Sequence, residues 1–230
     1  MNASLLLLHG ALGSKEQLTN LKEALSMTFD VHTFDFEGHG NNASSTPFSM
    51  PLFASNVVDY MKAHHMTKAH LFGYSMGGYV ALQLAKTHPE LVDHIITLGT
   101  KFSWTPESAT KEIKMLNPEK IEEKVPAFAQ KLAAIHTGNT WKEVMLKTAT
   151  MMHGLGNGAK LTTAALTQIP HKTRIHIGDQ DTMVSIEESK ESADALPNGS
   201  LQIINGCKHP IESIAQKKLA EMITDFILSS

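Results

Sequence analysis

Ala69-His70-Leu71-Phe72-Gly73-Tyr74-Ser75-Met76-Gly77-Gly78-Tyr79-Val80-Ala81-Leu82 is the stretch that decides how the chain is read. A short apolar run leads into Gly73 and a helical pattern leaves from Tyr79, so a strand turns sharply into a helix at Ser75. The pattern is G-x-S-x-G, and the flanking glycines are needed because side chains there would collide with the strand before and the helix after. Ser75 is left exposed at the strand's carboxyl end. Its hydroxyl then faces the positive end of a helix and the amide of Met76, where an oxyanion can be held. A glycine-rich strand-to-helix turn occurs in many α/β proteins, so the flanking sequence has to discriminate.

Outward from this turn, the pattern predicts further strands at 4–8, 31–36, 93–99, 173–178 and 200–204, and a strand at 69–74 into the turn itself. Leu5-Leu6-Leu7-Leu8 is continuously apolar, as expected of a strand covered by helices on both faces. Leu18, Leu21, Ala24 and Leu25 recur at helical spacing, residues 41–51 read as loop, and helices follow at about 52–64, 76–86, 185–195 and 211–228. Alternating strands and helices imply an α/β fold with a parallel sheet and right-handed crossovers. Between 103 and 171 the strand signal disappears and helical patterns at about 107–116, 119–136, 140–152 and 159–167 replace it, separated by Pro106, Pro118, Gly138 and the Gly154–Gly158 turn. That is too long for an ordinary connection. It reads as an inserted helical lid at 103–171, with the core formed by 1–102 and 172–230.

Composition narrows the partners. The 230 residues are 42% hydrophobic and 19% charged, with a formal charge of −3 and no basic block, so neither nucleic acid nor an anionic membrane is recommended. Every cationic residue except Arg174 is lysine, which disfavours bidentate clamping of a strongly anionic substrate. The single cysteine, Cys207, excludes an internal disulfide and a cysteine-rich zinc site. Residues 5–8 are too short, and lack the preceding basic residues, for a secretory segment. A cytoplasmic location is the expectation. The histidines at 64, 65, 88, 94, 136, 153 and 171 show no ligand spacing with carboxylates, so no metal and no cofactor are expected.

In open parallel sheets, sites form at the carboxyl ends of strands. Those ends here carry His9-Gly10-Ala11, Ser75, Asp179 with Asp181, and Cys207-Lys208-His209-Pro210. The chain order is serine, acid, histidine: Ser75 needs a base for its proton, and the base needs a carboxylate to orient it. Asp179 and Asp181 both qualify on position.

With these residues in place the chain resembles the α/β-hydrolase superfamily over essentially its whole length. Leu8-His9-Gly10-Ala11 resembles the family's oxyanion loop and Asp35-Phe36-Glu37-Gly38-His39-Gly40 its D-x-x-G-H-G turn. Gly73–Gly78 resembles its nucleophile elbow, Gly178–Val184 its G-x-x-D-x-x-V acid loop, and Gly206–Pro210 its histidine loop, with Lys208 where glycine is usual. The resemblance implies Ser75 as nucleophile, His209 as general base and then acid, Asp181 as orienting carboxylate, and the amides of Ala11 and Met76 as the oxyanion hole. Asp179 is then left to turn chemistry, His9 and His39 to structural turns, and Cys207 to the histidine loop.

The family's usual leading hairpin is missing, since the first strand starts almost at Met1. The sheet is therefore expected to hold six parallel strands in the order 2-1-3-4-5-6. Phe102 and Trp104 at the base of the lid, with Phe128, Met145 and Met152 within it and Met115 and Met151 beside them, are candidates for an apolar acyl pocket; packing within the lid explains them equally well. The implied activity is carboxylesterase-like, on a small, largely uncharged ester, thioester or lactone. Compact members also resemble the menaquinone-pathway synthase, but that enzyme's typical arginine is replaced here by Tyr79. Cofactor-free perhydrolases share the serine triad, and a small-ligand receptor is the non-enzymatic rival.

Overall fold

The computed structural model describes residues 2–229. Six strands, Ser4–Leu8 (β1), Asp30–Thr33 (β2), Ala69–Tyr74 (β3), Val92–Leu98 (β4), Thr173–Gly178 (β5) and Gly199–Ile204 (β6), form one parallel sheet in the order β2-β1-β3-β4-β5-β6. This is the expected topology. The order reverses beside β1, so β1 and β3 neighbour each other at the point where a parallel sheet opens a crevice above its carboxyl ends.

Helices cover both faces, and the apolar strands divide their side chains between them. Leu6, Leu8 and Leu71 pack with Phe53 and Val57 of Met50–Ala63 (α2) and with Val80 and Leu84 of Met76–Thr87 (α3). Leu5, Leu7, Phe72 and Ile96 pack with Leu21 and Leu25 of Thr19–Leu25 (α1) and with Leu219 and Ile223 of Gln216–Leu228 (α10). Successive residues of a strand point to opposite faces, so a run without polar interruption is what two covered faces require. Each such fully buried side chain contributes about 1.5–3 kcal/mol of transfer free energy.

Several boundaries differ from the expected ones. β2 ends at Thr33 rather than 36 because the following groups are taken by loop partners: Asp35 Oδ1 accepts the Lys15 amide at 2.7 Å and the Phe36 amide donates to His9 Nε2 at 3.2 Å. α2 starts at Met50, where Ser49 Oγ caps the Leu52 amide at 3.2 Å and Pro51 occupies the first turn. The single helix expected over 119–136 is two, Pro118–Lys124 (α5) and Pro126–Ile135 (α6), because Pro126 lacks an amide donor and drives Val125 out of the helical region to φ −138°, ψ 56°. The stretch 159–167 yields only Thr163–Leu166 (α8), and 211–228 opens with a separate turn at Ile211–Ser213 before α10.

Residues 103–171 carry helices and no strand among the described residues: Pro106–Ile113 (α4), α5, α6, Trp141–Gly154 (α7) and α8, with Ile186–Ala195 (α9) following β5. A wide turn over Leu155–Ala159, with Gly158 at φ 107°, closes α7. Val144, Met151, Leu155, Leu161 and Ile169 of this insertion join the same core as α2 and α3. Among the described residues no helix is long and apolar enough to cross a membrane.

Candidate active site

β3 delivers Ser75 to the carboxyl edge of the sheet, and α3 begins at the next residue. Ser75 is held at φ 51°, ψ −113°, a left-handed conformation that a non-glycine residue keeps only when its surroundings enforce it. The enforcement is visible. A Cβ on Gly73 would strike the backbone of Gly77 and Gly78, and one on Gly77 would strike the carbonyl of Leu8, so the two glycines let α3 descend onto β3 and β1. The Ser75 amide donates to Leu98 O at 2.8 Å, and Thr100 Oγ1 donates to Ser75 O at 2.9 Å, which pins the turn to the end of β4. Sequence reading passes over Thr100, because a hydroxyl after a strand carries no local signal of what it will meet. Met76 opens α3, so its amide lacks an intrahelical partner.

The acid loop after β5 and the histidine loop after β6 meet here. His209 Nδ1 lies 2.8 Å from Asp181 Oδ2, and Asp181 Oδ1 accepts the amides of Met183 at 2.8 Å and Val184 at 2.9 Å. Burial disfavours the Asp181 charge, but the His209 bond and the two amides outweigh it and hold the carboxyl below its usual range. A carboxylate is acceptor-only, so Nδ1 carries the proton and Nε2 is left as the basic nitrogen. Asp179 is placed differently: its Oδ1 accepts the Gly206 amide at 2.7 Å and so closes the turn.

Ala11, Ser75, Met76 and His209 line one cleft of about 480 Å³, open mouth included. Five methionines reach its walls: Met50, Met76, Met151, Met152 and Met183. Of the five pocket candidates, Trp104 and Met152 line the cleft. The other three lie elsewhere. Phe102 borders a neighbouring groove while its amide donates to Glu188 Oε1 at 2.9 Å, Phe128 is exposed, and Met145 is fully buried with Ala129, Leu132 and Trp141 inside the insertion. Met115 is exposed as well, and Met151 joins the lining. Lys101 also lines the cleft, with its ammonium 3.6 Å from Glu112 and 3.9 Å from Glu188 and bonded to Met183 O at 3.2 Å. Tyr79, where the synthase has arginine, accepts the Leu161 amide through its hydroxyl, which burial pushes up to about 12.

A second group of histidines lies behind the cleft. His9 is completely buried, Nδ1 donating to Gly10 O at 2.8 Å and Nε2 accepting from Phe36, and burial lowers its pKa to about 4. His39 stacks on Phe48 with ring centroids 4.8 Å apart and lies 5.1 Å from the His9 ring and 5.8 Å from the His136 ring. On the opposite edge of the sheet, the expectation that the histidines show no ligand spacing with carboxylates meets an exception at His94. A register shift between β3 and β4 brings His70, Asp93 and His94 within 4.8 Å of one another, and Lys68 Nζ sits 3.4 Å from Asp93. Adjacency across a bulge is invisible to spacing along one strand.

The chain belongs to the α/β-hydrolase fold family: the family's model matches residues 3–146. A Haemophilus influenzae protein provisionally classed as an esterase/lipase is 23% identical over 224 residues, covering 89% of this chain and 76% of its own length. A pimeloyl-[acyl-carrier protein] methyl ester esterase of Citrobacter koseri is 33% identical over 113 residues, 49% of this chain and 43% of that one. Among solved structures, an esterase of Thermogutta terrifontis superposes with a TM-score of 0.81 at 19% identity, covering 100% of this chain and 90% of the other, a likeness of fold.

Proposed function

We propose that this chain is a serine esterase acting on small, largely uncharged carboxylic esters, thioesters or lactones through an acyl-enzyme. The observation that carries the reading is the 2.8 Å bond between His209 Nδ1 and Asp181, at a cleft whose lining includes Ser75. Asp181 keeps the proton on Nδ1, so Nε2 takes the Ser75 proton as Oγ attacks the carbonyl. The tetrahedral oxyanion is stabilised by the amides of Ala11 and Met76, His209 protonates the departing alkoxide, and a water activated by the same imidazole releases the acid. The helical insertion acts as a lid that shields this chemistry from bulk water. The methionine lining supports an apolar acyl group. Lys101, already matched by Glu112 and Glu188, supports a neutral substrate over an anionic one. The sequence relatives with esterase names support the same reaction class.

The test is steady-state hydrolysis of p-nitrophenyl esters of graded chain length by wild type and Ser75→Ala. Multiple turnover that falls by about 10³-fold or more in the variant is expected. Undiminished turnover by Ser75→Ala would dispose of the mechanism, and a single slow turnover with a ligand-induced melting shift would point to a receptor.

A further inference from the structure

We propose that His136, contributed by the helical insertion, is a positioning residue for the oxyanion loop, setting the Ala11 amide through its bond to Leu12. The inference rests on the reading of Ala11 as an oxyanion donor. Ala11 and Leu12 are the two corners of a turn closed by the Gly13 amide donating to Gly10 O at 3.1 Å. Leu12 sits at φ 58°, the left-handed conformation that this corner normally reserves for glycine. A leucine stays there only if something outside the turn holds it.

The hold comes from residues more than a hundred positions away. His136 caps the carboxyl end of α6, is buried, and its Nε2 lies 3.1 Å from Leu12 O. Its Nδ1 accepts the Gly40 amide at 3.1 Å, so Nδ1 is unprotonated and the hydrogen is on Nε2, donating to Leu12. The ring is thereby oriented from both sides. The next two amides, Thr137 and Gly138, donate to Gly40 O at 2.9 and 3.1 Å and keep this end of α6 seated on the turn after β2. The Leu12 side chain packs against the main core and against the insertion's own cluster of Leu132 and Trp141, so the insertion grips the carbonyl of the strained corner and shares the hold on its side chain. The core supplies the other supports: His9 holds Gly10 O, and Gln17 reaches the Gly10 amide at 3.4 Å. Without His136, Leu12 O loses its partner and the turn is free to relax away from φ 58°, carrying the neighbouring Ala11 amide with it.

Glutamine and asparagine separate the two bonds of the ring. The amide of glutamine reaches the position of Nε2 and can donate to Leu12 O, whereas asparagine places its carbonyl near Nδ1 and keeps only the Gly40 bond. Expected for His136→Asn is a kcat on a short p-nitrophenyl ester lowered about 10- to 100-fold, less than deletion of a whole oxyanion donor, with KM within about twofold. His136→Gln is expected to restore kcat to within about threefold of wild type. The affinity for a trifluoromethyl ketone, whose adduct carries the oxyanion, is expected to weaken in parallel with kcat/KM. If His136→Asn fails to fold by circular dichroism, His136→Met, which fills the volume with no donor, takes its place with the same expectation. Equal kcat in the donor-bearing and donor-free variants, or a loss confined to KM, overturns the proposal. Ser75→Ala is measured alongside: if it retains wild-type turnover, the esterase reading and this inference fall together. Ser75-dependent turnover that is indifferent to His136→Asn removes this inference alone.

Discussion

Two groups of histidine in this molecule do opposite work. His209 is only partly buried, faces a carboxylate with one nitrogen, and borders the cleft. His9, His39 and His136 are buried; each places a ring nitrogen against a backbone carbonyl, and His9 and His136 also accept a backbone amide. The difference lies in what stabilises charge. The Asp181 carboxylate faces the His209 ring, whereas burial depresses the pKa of all three others; His9 and His136 bridge loops as neutral rings, and His39 stacks on Phe48. In the proposed mechanism His209 carries the proton, while His9 and His136 serve as structural braces.

The largest test of this contrast removes the carboxylate. Asp181→Asn is expected to keep the fold and lower kcat by roughly 10⁴, the size of the loss when the triad aspartate of a serine protease is changed to asparagine, as read by ester hydrolysis with melting temperature as control. If Asp179→Asn produced that loss instead, the acid would be misassigned. Next in size, His9→Ala leaves the Phe36 amide unpartnered in the core, strips Gly10 O of one of its two donors and opens a cavity, and is expected to cost about 2–4 kcal/mol in urea unfolding. A rise in stability would contradict its role as a brace.

Acid should act on the neutral histidines as a class. His9 and the sheet residue His176, which meets Gln202 Oε1 at 3.1 Å, both drop from 6.5 to about 4 on folding because burial penalises the cation. The unfolded chain thus binds their protons first. Their contribution is complete above pH 6.5 and is lost on acidification toward pH 4, about 3 kcal/mol for each. Urea midpoints across that range should fall, and His176→Gln should flatten part of the slope; a flat profile in wild type would break the assignment. The smallest effect is expected of Asp179→Asn, which keeps an acceptor for Gly206: kcat within about threefold and stability within about 1 kcal/mol.

What could be read without coordinates follows the same division. The strand order came with the family resemblance, whereas the strands and the residues at their carboxyl ends were legible because each rests on a local signal: an apolar run, a glycine forced by close approach, or a motif at fixed spacing. Ser75, Asp181 and His209 belong to that group. Asp179 was separated from Asp181 only by resemblance, and the Gly206 bond supplies the physical reason. Contacts of the insertion were not legible, since His136 and Leu12 are 124 residues apart and nothing near either names the other. Met145 and Phe128 looked equivalent to Met152 along the chain, yet packing sends one inward, one to solvent and one to the cleft. Pro126 was a local signal that periodicity over 119–136 overrode, and the structure restores it.

The five thioethers around Ser75 carry one more implication. Unbranched, polarisable side chains with three rotatable bonds reshape themselves around a guest, so the chamber they bound has elastic walls instead of a fixed mould. On the esterase reading, graded esters are expected to be sorted by length and polarity more than by contour. Met183 among them is exposed, and its oxidation to the sulfoxide would make a greasy chamber wetter without altering Ser75, Asp181 or His209.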